Sequence, residues 1–344
     1  QTHPWGTISA QTVSDQLAFW QEAFGAPTAI DSGSQVWQWK ELFTTLGLIG
    51  FMIFLLAFAR ALLTTRAFAG LKVDQPAAVA NTRAGLGWFW GAMVVSALFS
   101  GVSYVLLSQA PWIQGIAFNV VPTIFTQGAV FFIAFWAAIN GVASIAIMAI
   151  SYFLFGRRNG LKVRELGLLP GWTKFFQGIG LGVVTVAAAY GIVFFFQWLL
   201  NTDFRWWVVA VKDFGADTLW IALLYVPFFL LYFLANSVAI NVFNRFTLRG
   251  KEWLNTAVLA LVNALAPIVL VVAQYVTFFI TGEPIPGFGG IFSIWLFPVI
   301  LILAATAVLS RKLYRVTGNP YIGGFISAAV VTLVAVTNTL TVIY

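Results

Sequence analysis

Residues 42–63, from Leu42 to Leu63, read LFTTLGLIGFMIFLLAFARALL. Wound as an α-helix, this run of 22 residues covers roughly 30 Å, the thickness of a hydrocarbon core. Its one charge, Arg60, falls in the last turn, where a long side chain reaches the headgroups. Trp37 and Trp39, followed by Lys40 and Glu41, supply the amphipathic belt of a helix entering a membrane. The segment therefore reads as a transmembrane helix, with one membrane surface near residue 40.

The rest of the chain repeats the theme. Hydrophobic residues make up 60% of the sequence and charged ones 8%, with a mean hydropathy of +0.91. A soluble domain carries about 25% charged residues, so lipid is the solvent here. Further spans are expected at Leu86–Leu107, Ala129–Phe155, Phe175–Leu200, Leu219–Ile240, Leu254–Ile280, Ile291–Leu309 and Tyr321–Ile343. Backbone amides in lipid need internal partners, so these runs are helices. Between the second and third spans, Gln109 to Gly128 is apolar but broken by Pro111 and Pro122, as in an interfacial or re-entrant segment. The expected fold is all-α: a polytopic bundle of about eight transmembrane helices over residues 42–344. An extracytoplasmic amphipathic helix within residues 1–41 precedes it.

Charge gives a direction. If residues 1–41 are outside, the inner loops hold 15 of the 18 basic residues and 3 acids, a net +12, and the outer side nets −5. Lys and Arg in short loops set topology, so both termini are expected to be extracytoplasmic in a cell membrane, with the basic loops in the cytoplasm. The overall +7 thus reflects membrane topology, and no nucleic-acid partner is expected. There is no Cys, which removes disulfides, thiolate metal sites and a Cys nucleophile. No phosphate-loop, dinucleotide or metal motif is present, so no cofactor and no metal are expected. The opening at Gln1, without an initiator Met, is the expectation for part of a longer chain.

In residues 1–41, Val13, Leu17, Trp20 and Phe24 recur at helical spacing after a candidate N-cap at Thr7 or Ser9, and Gly25 and Pro27 end the run. One reading is a helix lying on the lipid surface or on the bundle. The other comes from the whole stretch THPWGTISAQTVSDQLAFWQEAFGAPTAID, leading through QVWQWKE into a hydrophobic span. It resembles the end of bacterial membrane-anchored α/β-hydrolases that carry a polytopic C-terminal region. The resemblance implies that His3 is the general base of a Ser-based triad. It also implies a hydrolase domain outside the membrane, to which this bundle is the anchor. The G-x-S-x-G elbow of that family is absent from this chain, whose enzymatic status stays open.

A weaker resemblance runs through residues 157–338, where RRNGLKVRELGLLP, NSVAINVFNRF and YRVTGNPYIGGFISAAVVTLVAVTN look like a degenerate CAAX-protease-like intramembrane peptidase. Asn236 and Asn241 precede Arg245 where that family has carboxylates, and no His follows residue 3. Amides do not serve as general bases, so the resemblance implies a catalytically dead relative. Polar residues do lie at depth, among them Asn140, Gln197, Asn236, Asn241, Asn263, Gln274 and Asn338, while no Asp, Glu, Lys or His sits mid-span. Their first reading is hydrogen bonding between helices. The alternative is a substrate or lipid site, for which Asn236, Asn241, Arg245 and Asn263 are the candidates. The functions carried forward are an anchor for an extracytoplasmic hydrolase, with an apolar substrate; a non-catalytic scaffold or lipid-binding subunit among partner chains; and a channel or carrier for a neutral solute.

Overall fold

The computed structural model describes residues 5–25, 30–73, 82–244, 246–286, 288 and 290–342. A first helix, α1 (Ala10–Phe24), starts where Ser9 caps it: the Thr12 backbone N–H donates to the Ser9 hydroxyl at 3.3 Å. It ends at Gly25, whose φ of 69° suits glycine. None of its residues is buried, and Phe19, Trp20 and Phe24 stand exposed.

Among the described residues, six helices are long and apolar enough to cross a membrane: α2 (Trp37–Leu62), α3 (Arg83–Gln109), α5 (Gly128–Ser151), α6 (Trp172–Leu200), α7 (Ala216–Val238) and α10 (Ile291–Thr317). Between α3 and α5, the short α4 (Pro111–Ala117) carries its proline in the first turn, where no N–H is needed. Its seven residues are too few to cross, as expected for a broken segment. The chain is an all-α, multi-pass membrane protein.

Two expected spans differ in detail. The run from Leu254 to Ile280 is two helices, α8 (Glu252–Asn263) and α9 (Leu265–Thr281), bent by 51° at Ala264. Pro267 is the cause: it has no N–H for the Asn263 carbonyl, and its ring collides with that carbonyl in a continuous helix. The last span is shorter than its apolar run, since α11 (Tyr321–Thr337) is 17 residues long and the chain continues without regular structure to Val342. Between α6 and α7, Phe204–Trp206 (β1) and Val209–Val211 (β2) pair as an antiparallel hairpin, the one sheet among the described residues. The Trp207 N–H at its tip donates to Glu41 at 2.8 Å, and the Phe204 ring fills the space over Gly47. Arg205 pairs with Asp203, and that hydrogen bond pushes the guanidinium pKa up, while burial and then the Arg205 charge push the Lys212 ammonium pKa down.

Helix α7 lies at the centre, packed on α5 and α11. Small residues permit this: a Cβ on Gly141 of α5 would come within 2.9 Å of the Leu231 backbone, and one on Gly324 of α11 within 2.9 Å of the Phe233 carbonyl oxygen. The two largest clusters of the core lie mainly among α3, α5, α7 and α10, and among α2, α6, α10 and α11.

One charge is placed differently from its sequence reading. Arg311, counted with a basic loop, is buried in α10 at 1% exposure and pairs with Glu252 of α8. It also donates to the Ile240 carbonyl at 2.6 Å and to the Thr256 hydroxyl at 3.2 Å. Ile240 belongs to a π-helical turn, Ala239–Phe243, that extends α7 and leaves carbonyls without a regular helical partner. Removing one member of a buried pair costs about 3–5 kcal/mol, because the other charge stays behind. Glu252→Ala is therefore expected to lower the thermal unfolding midpoint of the purified chain by several degrees. Glu165→Ala, which breaks the exposed pair to Lys162, is expected to leave it unchanged.

Candidate functional site

Three pairs of polar residues, each at i and i+4, face one another inside the bundle: Ser96 and Ser100 on α3, Asn140 and Ser144 on α5, Tyr232 and Asn236 on α7. A spacing of four residues puts each pair on one helix face. Asn244, just past the π-helical turn, and Asn263, at the α8–α9 bend, complete a narrow crevice of about 90 Å³. Its walls thus include the π-helical turn after α7 and the α8–α9 bend, where lipid-exposed irregularity is not tolerated and a polar lining is. The Asn263 amide donates to the Leu303 carbonyl of α10 at 3.0 Å, and the Tyr232 hydroxyl reaches the Asn263 amide oxygen at 3.5 Å. Asn140 donates to the Trp136 carbonyl at 2.9 Å, and the Trp136 indole donates to the Ser100 carbonyl at 3.0 Å.

Ser100, Asn140 and Tyr232 line a second and larger cavity as well, of about 620 Å³. It runs from them toward the hairpin end of the bundle between α5, α7, α10 and α11, and its walls are apolar: Val130, Ile133, Phe229, Val299 and Val331 among others. The volume lies within the roughly 300–1,000 Å³ of small-molecule sites. Its mouth is formed by Phe118 and Asn119 after α4, Val208 of the hairpin turn, and Leu340 and Val342 of the segment after α11. Gln127, buried at the start of α5, holds that segment: its amide donates to the carbonyls of Val336 at 3.1 Å and Thr339 at 3.0 Å. The Val342 N–H donates to the Thr126 carbonyl at 2.9 Å, and Asn338 donates to Ala210 of the hairpin at 2.7 Å.

Of the candidates named from sequence, Asn236 and Asn263 share the crevice. Asn241 does not: it is fully buried and donates to the Ser237 carbonyl at 2.9 Å and the Ser310 hydroxyl at 2.8 Å, fastening α7 to α10. His3 and Arg245 lie outside the described residues. Ser96, Ser100, Ser144 and Tyr232 were not singled out by the sequence, although their spacing to one another and to the two amides is visible in it. Comparison with models of protein families, with curated proteins and with solved structures gives no match to this chain.

Because Gln127 ties down the strand of chain across the mouth, Gln127→Leu leaves two carbonyls without their donor. Hydrogen–deuterium exchange at the Val342 amide is expected to speed up at least tenfold in that variant, the worth of a lost hydrogen bond or two. Exchange across α7 is expected to stay the same.

Proposed function

We propose that this chain is a membrane module that holds the apolar chain of a lipid-like ligand between its helices, on behalf of an α/β-hydrolase-like part at the hairpin end. The observation that carries the reading is the 620 Å³ cavity. It opens at its mouth, so what occupies it comes from the surroundings, water or lipid. Water does not fill apolar space of this kind, which lacks the two to four polar partners each molecule needs. A hydrocarbon chain does, and the bilayer supplies hydrocarbon chains.

The hydrolase part of the reading rests on the resemblance of residues 1–41, in which His3 is the general base. Charge supports putting that part outside the cell. Taking Arg311 and Glu252 out of the loop count as a buried pair leaves 14 basic residues and 2 acids on the opposite side. A carrier for a neutral solute is the second reading, favoured by the meeting of the two cavities at Ser100, Asn140 and Tyr232.

Two measurements test this function. Ala137, on the cavity wall, is replaced by Trp to fill the space. Mass spectrometry of the purified protein is expected to find an apolar chain bound to the native chain and none to Ala137→Trp; equal occupancy would remove the reading. The chain has no native Cys, so single cysteines report sidedness cleanly. A membrane-impermeant maleimide on intact cells is expected to label Glu283→Cys and not Lys162→Cys, and the reverse pattern would refute the orientation.

A further inference from the structure

The crevice contains polar groups whose hydrogen-bonding capacity the protein does not use. The side chains of Ser96, Ser144 and Asn236 make no hydrogen bond to any other part of the described protein, and the Asn140 amide oxygen accepts none. All four stand at membrane depth, half-buried on α3, α5 and α7, where lipid offers no partner. Burying an amide or hydroxyl without a partner is costly. Partners from outside the protein therefore belong in the crevice, and its 90 Å³ is enough for a small polar group or several waters at roughly 10–15 Å³ each.

The chemistry of the lining restricts that group. None of the residues lining the crevice is Asp, Glu, Lys, Arg or His. A charged head would be desolvated there with no counter-charge, which membrane interiors tolerate poorly. Amides and hydroxyls present donors and acceptors together, and so match a group that does the same: a hydroxyl, an amide or a glycerol-like head. The apolar cavity begins at the same three residues and runs along α5 from Asn140 to Val130, about 15 Å of helix. That is a slot for a single hydrocarbon chain.

Resting on the cavity reading above, we propose that the ligand is a single-chain amphiphile with a neutral hydrogen-bonding head, bound with its head inward. The head sits in the crevice beside Asn236 and Asn140, and the chain extends through the apolar cavity toward Leu340 and Val208. The polar end is thus held near mid-membrane and the tail end lies at the mouth, the inverse of the arrangement of a lipid in the leaflet on that side.

The test uses the full chain in lipid nanodiscs and a photoreactive 1-dodecanol that carries a diazirine at its terminal carbon. Peptide mapping after illumination is expected to place the adduct near Val334 and Leu340 at the mouth; an adduct beside Asn236 would overturn the head-inward orientation. Competition by unlabelled 1-dodecanol is expected to be about tenfold stronger than by dodecane, dodecanoate or dodecyltrimethylammonium, the worth of one or two neutral hydrogen bonds. Asn236→Leu, with Ser144→Ala as a second and milder variant, is expected to reduce 1-dodecanol to the strength of dodecane while dodecane itself competes as before. If the alcohol has no advantage in the native protein, or keeps it in both variants, the neutral-head proposal falls and the apolar cavity stands. If no probe labels the cavity walls at all, the cavity reading falls, and the proposal with it.

Discussion

Inside a bilayer no water is at hand to pair with an amide or a hydroxyl, so each polar group at depth has to be satisfied by the protein or by something the protein holds. Most of this bundle obeys the first option. Thr185, Thr306 and Thr332 bond back to carbonyls one turn earlier. Tyr104 spans from α3 to the Phe292 carbonyl at 2.6 Å, and Asn241 joins α7 to α10 through Ser310. Single buried atoms elsewhere, such as the Tyr190 and Ser327 hydroxyls, also lack partners, but only at the crevice do the described residues gather several polar side chains with spare capacity from three helices.

The irregular backbone falls into the same pattern. A π-helical turn and a broken helix are both expensive in lipid unless something takes up the freed groups. Arg311 does so for the turn, at the Ile240 carbonyl, and its own charge is answered by Glu252. At the α8–α9 bend, Asn263 is held from its side chain by α10 instead. Both the turn after α7 and the α8–α9 bend are held from α10, and both line the crevice.

The spans were legible because a run of about 20 apolar residues has one solution in lipid. An interruption at Pro267 is legible too, since proline lacks the N–H for the carbonyl four residues earlier, but the size of the bend, 51°, is set by packing that the sequence does not show. The hairpin is not legible for a different reason: two strands of three residues each are too short to show a period-2 pattern, and the contact at their tip is to Glu41, far away in sequence. Arg311 was read as a loop charge since only tertiary structure brings Glu252 and Ile240 to it. In the site, Asn236 and Asn263 were found as deep amides. Asn241 faces away from the crevice, as its spacing allows: five residues from Asn236 is about 140° around a helix. Ser96, Ser100 and Ser144 went unread because serine in a membrane helix ordinarily bonds its own backbone, and nothing local says that these three do not.

The division of the interior into a polar half and an apolar half also bears on what the module can be. A water-filled channel needs a polar lining along its whole length, and the stretch from Ile133 to Val334 does not provide one. A plain anchor needs no interior space at all, and one span would serve. An apolar slot closed at its inner end by amides and hydroxyls suits a molecule with the same division of character. In the complex proposed above, the tail gains little, because lipid dissolves it equally well, and the head gains hydrogen bonds that lipid does not offer. The hydrogen-bonding end therefore carries the selectivity, and the apolar end sets only the length and number of chains that fit.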